Sequence, residues 1–214
     1  VTMADLEERL LEAVRRGWRV AVHAMGNVGV GRALGAFELA ARTRPDEDHR
    51  FRLEHAGVTS YDQCRRLASL GGVAVVQPGF VEHVGTQTGG LRFDGHKWLA
   101  FADLARAGVP LAASSDDPCA WWPPLWGALK GASRLTSTGV SLEPDQALPL
   151  EEWLVASTAG AAHAGGQEGE RGRLAPGLRA DLVVMEDPSG PLGAAVAQTW
   201  VAGTRVHCRP APAP

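Results

Sequence analysis

Cysteine is scarce in this 214-residue chain, and the three that occur are far apart. Cys64, Cys119 and Cys208 form no C-x-x-C pair. An odd number of distant thiols leaves no plausible disulfide framework and points to a reducing, cytoplasmic setting. Runs of Lys or Arg are also missing, and the formal net charge is −3. That excludes the basic footprint by which proteins hold nucleic acid or anionic membranes. No apolar stretch approaches the roughly 20 residues that cross a bilayer. The opening residues, V-T-M-A-D-L-E-E-R-L-L-E-A-V, are acidic and amphipathic rather than signal-like. A P-loop is absent.

What is present is an ordinary globular composition, 45% hydrophobic and 21% charged. The 26 glycines and 14 prolines cluster between short apolar runs. Such punctuation suits many strand-to-helix corners better than a helical bundle. Leu6, Leu10, Leu11 and Val14 recur at helical spacing, so residues 3–16 are expected as a helix ending at Gly17. W-R-V-A-V-H, F-R-L-E-H-A, V-A-V-V-Q and V-P-L-A-A-S-S read as strands. Helices are expected between them over 28–42 and 61–70, and again over 98–107. A loop of about 18 residues, rich in Gly, fills 78–97; loops of that length are commonly functional. Helices follow near 125–135 and over 150–162. Strict alternation of apolar strands and helices predicts an α/β fold with a parallel sheet. The last part changes character: R-A-D-L-V-V-M and V-A-Q-T-W-V-A-G-T-R-V-H read as strands, the second folded at Gly203 into a hairpin. We therefore divide the chain into an α/β part, 1–165, a small β part, 166–208, and a disordered tail, 209–214.

The chemistry-bearing residues stand where strands end. The first strand ends on His23, the second on His55, the third on Gln77 and the fourth on Ser115-Asp116. In parallel α/β folds the carboxyl ends of the strands carry the site. Two imidazoles and a carboxylate on one rim are ligands that zinc and similar ions use in hydrolytic sites. A plainer reading also exists for each: a hydrogen-bonded structural histidine, or a Ser/Asp turn before proline. His83 and His96, in the long loop, are candidates to touch substrate. Trp121, Trp122 and Trp126 can wall an apolar pocket or pack under a loop. Arg134 is a candidate to orient substrate, with a surface salt bridge as its alternative. A dinucleotide fingerprint is disfavoured, because Gly26, Gly29 and Gly31 run G-x-x-G-x-G rather than G-x-G-x-x-G.

Taken together, V-A-V-H-A-M-G-N, R-L-E-H-A, S-S-D-D-P and G-R-L-A-P-G-L-R-A-D-L-V-V-M resemble the C-terminal half of a metal-dependent amidohydrolase. The nearest branch is that of the N-substituted formamide deformylases and YtcJ-like proteins, and the likeness runs over about 15–207. The resemblance implies the second half of a distorted (β/α)8 TIM-type barrel, strands five to eight, beside part of a small β-sandwich. It implies His23 and His55 as metal ligands, and Asp116 as a ligand that also shuttles protons. A divalent metal, zinc foremost, would activate water to cleave a C–N bond in an amide-like, non-peptide small molecule.

Two departures accompany the likeness. Asn27 stands where relatives usually carry an acid. No H-x-H of the first barrel strand precedes Val1, and a whole barrel takes about 250 residues. The chain is therefore expected to be a fragment, with an exposed apolar inner face, that self-associates or is completed by another chain. The competing expectation is a non-catalytic remnant that binds no metal tightly.

Overall fold

A computed structural model describes residues 2–88, 91, 93–121, 123–186 and 196–209. The first helix, α1 (Met3–Arg15), begins on a reciprocal cap: the Thr2 hydroxyl accepts from the Asp5 N–H, and the Asp5 carboxylate accepts from the Thr2 N–H. Its apolar stripe buries Leu10 and Val14, and Gly17 supplies the left-handed turn that ends it. Strand β1 (Ala21–Ala24) leads into α2 (Asn27–Ala41), and β2 (Arg52–His55) follows. Next come β3 (Val58–Thr59), α3 (Tyr61–Ser69) and β4 (Val73–Val76). Ser60 and Gln63 cap α3 with a second reciprocal pair.

The expected loop over 78–97 contains a helix, α4 (Phe80–Thr88), and then β5 (Lys97–Trp98), which pairs antiparallel with β3. Glycines hid the helix from pattern reading, but Phe80, Val81 and Gly85 are buried along one side of it. Gly85 lies so close to Thr136 that a methyl group there would clash at 2.6 Å. Trp98 thus belongs to a strand, and the following helix is shorter than expected, α5 (Phe101–Arg106). Strand β6 (Leu111–Ala113) and α6 (Pro124–Ser133) come next. The helix expected over 150–162 is α7 (Leu150–Val155), a π-helical turn (Ala156–Gly160) and α8 (Ala161–Gly165). Gly160 sits at the π turn, where an added Cβ would meet the Leu111 carbonyl at 2.1 Å. π-Helical turns of this kind occur mostly as single bulges inside α-helices.

Strands β1, β2, β4 and β6 pair in chain order, all parallel. The chain is thus an α/β fold with a parallel sheet. One face of the sheet meets the main core, where Leu34, Phe37, Phe51, Leu53, Leu67 and Leu104 are buried. Phe37 stacks on Phe51 with 4.6 Å between ring centroids. The other face was expected to lie bare and apolar. Its Val73, Val75 and Ala112 are instead buried together with Ala164 of α8. The exposed part of that face carries polar groups, His23 and the ion pair Arg52–Glu54.

The last described strands, β7 (Leu182–Met185), β8 (Val196–Val201) and β9 (Thr204–Cys208), form an antiparallel sheet. Ala202 and Gly203 both have positive φ at the hairpin corner, as the expected turn requires. Val183, Val196, Val201 and Val206 of this sheet are exposed. Of the expected tail, only Arg209 lies within the described residues.

Candidate metal centre

The parallel register sets the geometry of the rim. His23 on β1 pairs with Glu54, and Ala24 with His55. Side chains alternate along strands, so regular backbone would send His23 and His55 to opposite faces. At His55 the backbone turns left-handed, φ +73°, and Ala56 follows at +48°. The kink takes the imidazole out of the alternation. The two rings then meet edge to face, 4.5 Å between centroids and 74° between planes. Non-glycine residues held with positive φ concentrate at functional sites because the surrounding packing must sustain the strain.

The two histidines differ in surroundings. His23 is exposed, and among the described residues its ring makes no hydrogen bond. His55 is 8% exposed. Its Nδ1 lies 2.9 Å from Gln77 Oε1, and Phe80 stacks near-parallel at 6.0 Å. The Gln77 amide in turn donates to Ser114 Oγ (2.9 Å) and to the Val75 carbonyl (3.3 Å). Gln77 and Ser114 were visible in the sequence only as residues at strand ends. Nothing in their own neighbourhoods announced a link to His55, because their separations from it or from each other are 22 and 37 positions.

Asp116 lies on the same rim, just beyond β6, exposed and also left-handed at φ +56°. Its carbonyl accepts from the Cys119 N–H at 2.7 Å. Its negative charge raises the pKa of the Cys119 thiol, with smaller contributions from burial and from Asp117. Among the described residues no three His, Cys, Asp or Glu side chains stand close enough to hold a metal. The expected trio of His23, His55 and Asp116 does not form such a group among the described residues, while the rings of His23 and His55 adjoin. The pair offers two nitrogen donors, and a tetrahedral zinc site takes four ligands.

The residues expected to touch substrate divide sharply. His96 comes to the rim: its Nε2 lies 3.4 Å from the Asn27 amide at the start of α2, and its Nδ1 lies 2.8 Å from the Asp94 carbonyl. His83 is exposed on α4. Trp122 lies outside the described residues. Arg134 neither faces a substrate nor forms a surface salt bridge. It is 0% exposed, and its Nε, Nη1 and Nη2 donate to the carbonyls of Leu142 (2.8 Å), Leu99 (3.1 Å) and Trp98 (3.1 Å). Burial presses its pKa down to about 10, against the opposing pull of Glu143 and Asp145. With every nitrogen spent on backbone, this side chain fastens the end of α6 to β5 and cannot reach a substrate.

A cavity of about 270 Å³ opens beside the ends of β4 and β6. Pro78, Gly79, Ser114, Ser115, Trp121 and Gly127 contribute to its wall, and among the described residues none that lines it is charged. Trp121 meets Trp126 edge to face at 5.4 Å. The lining suits a neutral group with an apolar portion.

Known proteins supply the context for this rim. The chain is 33% identical to the N-substituted formamide deformylase of Arthrobacter pascens over 192 residues, 86% of this chain and 35% of that protein. It is 30% identical to YtcJ of Bacillus subtilis over 193 residues, 84% of this chain and 35% of that protein. A crystal structure of an uncharacterised metal-dependent hydrolase from Pyrococcus horikoshii superposes with a TM-score of 0.68 at 27% identity, covering 81% of this chain and 36% of that one. The chain thus spans about a third of the length of the curated relatives it matches. The sequence model described as "Amidohydrolase family" matches residues 1–207, and on that match the chain belongs to the amidohydrolase family.

Proposed function

We propose that this chain is the C-terminal part of a metal-dependent hydrolase acting on C–N bonds of amide-like, non-peptide small molecules. The observation that carries the reading is the His23–His55 ring pair on two adjacent parallel strands, in a chain similar to an N-substituted formamide deformylase. Under this reading residues 1–165 are strands five to eight of a distorted (β/α)8 barrel with their helices. Residues 166–208 belong to a β-sandwich, which accounts for the exposed valines of β7–β9. The open edges of β1 and β6 are joined by a complementing chain or a second copy. The cysteine pattern suits a cytoplasmic setting.

His23 and His55 would hold a divalent metal, zinc foremost, through imidazole nitrogen lone pairs. When bound, the metal supplies Lewis acidity that polarises water and the scissile carbonyl. Asp116 adds a carboxylate from the β6 rim, takes the proton from the attacking water and passes it to the departing nitrogen. Ser114 and Ser115 orient polar atoms of the substrate, and the uncharged cavity between Pro78 and Trp121 receives its neutral substituent.

A second reading is favoured by one observation, that the chain spans about a third of the length of the relatives it matches. Under it the chain is non-catalytic until a partner completes it. Zinc titration of the purified chain, with His23→Ala, His55→Ala and Asp116→Ala alongside, separates the two. Measurable affinity weakened by the substitutions supports the hydrolase reading; no affinity, and no effect of any substitution, removes it for this chain.

A further inference from the structure

We propose that Gln77 is a positioning residue that fixes the tautomer of His55, with the proton on Nδ1 and a free lone pair on Nε2. The proposal rests on the reading of His55 as a metal ligand for its purpose, but its content concerns contacts within this chain.

The His55–Gln77 distance of 2.9 Å does not by itself say which side of the amide faces the ring. The other contacts of Gln77 decide it. The far side of the amide lies 3.3 Å from the Val75 carbonyl, which can only accept. An amide oxygen turned that way would oppose another oxygen with no proton between them. The amide nitrogen therefore occupies that side, donating to Val75 and to Ser114 Oγ at 2.9 Å. The Oε1 atom then faces His55 Nδ1, and an oxygen there can only accept. A neutral imidazole carries one N–H, so it sits on Nδ1, and Nε2 keeps its lone pair. Neutral histidine in water favours the opposite tautomer, so the protein must impose this one.

The imposition is well supported. Gln77 is 2% exposed, which leaves little room for water to compete for its amide. The Ser114 N–H donates to the Val76 carbonyl at 2.9 Å and holds the ends of β4 and β6 together. The Gln77 carbonyl accepts from the Phe80 N–H at 3.0 Å, in the turn that opens α4. Phe80 then brings its ring over His55. Three parallel strands thus contribute one group each, His55 from β2, Gln77 beyond β4 and Ser114 beyond β6. Groups that fix the second nitrogen of a ligating imidazole govern metal affinity, typically by ~10–100-fold on mutation.

The test uses the full chain with 15N-labelled histidine at pH ~8, above the reference pKa of a free imidazole. Ring 1H–15N correlations of His55, identified through His55→Ala, are expected to show a protonated Nδ1 and an unprotonated Nε2. Gln77→Met removes the acceptor and should move the proton to Nε2. Gln77→Glu keeps an acceptor and should keep it on Nδ1. Zinc affinity, read by competition with a chelating dye, should fall ~10–100-fold in Gln77→Met. A wild-type ring protonated on Nε2, or a tautomer unmoved by Gln77→Met, overturns the proposal. Should Gln77→Met fail to fold, wild type and Gln77→Glu decide it: Nδ1–H in both supports it, Nε2–H in either overturns it. A chain that shows Nδ1–H but takes up no zinc retains the role of Gln77 and removes the metal reading instead.

Discussion

The rings of His23 and His55 lie 4.5 Å apart across two neighbouring strands, one exposed to solvent and the other enclosed. This asymmetry separates their contributions to folding from their contribution to the site. His23→Ala removes an exposed ring without a hydrogen bond and should change unfolding free energy by less than about 0.5 kcal/mol. His55→Ala leaves the buried Gln77 oxygen unpaired and should cost about 1–3 kcal/mol. Urea unfolding checks this, and equal costs for the two would contradict the geometry.

Arg134 is expected to matter for stability. Its three nitrogens satisfy three carbonyls around the start of α5 and the loop before Pro144. Its guanidinium also lies over the Phe101 ring at 5.0 Å. Arg134→Met leaves those carbonyls buried without donors and should cost about 3–5 kcal/mol. Arg134→Lys cannot span three acceptors and should recover only part of that loss. Denaturant midpoints of the three proteins provide the comparison.

Glu82 ties α4 to α6 and the following turn. Its carboxylate accepts from Lys130 Nζ, the Ser137 N–H and the Ser137 hydroxyl. Burial alone would raise its pKa, but the Lys130 and Ser137 hydrogen bonds outweigh burial and hold it at about 2. A folded pKa below the unfolded value contributes stability above roughly pH 4.5 that is lost as pH falls toward 2. Glu82→Gln should therefore cost up to about 3 kcal/mol at pH 7 and progressively less below pH 4. Unfolding curves of both proteins at several pH values test the convergence.

Trp153 fills the space between α6 and α5. It is 0% exposed and meets Phe101 edge to face at 4.8 Å. Gly131 permits this approach, since a Cβ there would lie 2.5 Å from the indole. Gly131→Val should cost about 1–3 kcal/mol through overpacking, and Trp153→Ala about 3–5 kcal/mol through the cavity left behind. Thermal unfolding of each variant would show whether Gly131 is there for room.

Local pattern alone made most of the frame legible. Apolar runs between Gly and Pro clusters marked β1, β2, β4 and β6, and their alternation with helices predicted the parallel sheet, because both signals arise from neighbours in sequence. The same logic made His23 and His55 stand out, since each closes an apolar run. The π turn at Ala156–Gly160 and the helix inside the glycine-rich 78–97 stretch were not legible. Packing against Leu111 and Thr136, both distant in sequence, decides them.

By itself, then, the sequence determined the α/β order, the strand ends that bear histidine, and the motifs that resemble an amidohydrolase. Tertiary structure alone decided which polar groups meet. It turned His55 toward His23 with a left-handed residue, enclosed Gln77 against Val75 and Ser114, and spent Arg134 on backbone carbonyls. The physical reason is that periodicity reports which face of an element is apolar. The partner of a buried polar group is chosen by the packing of elements tens of residues apart, where each donor must find an acceptor that no local pattern encodes.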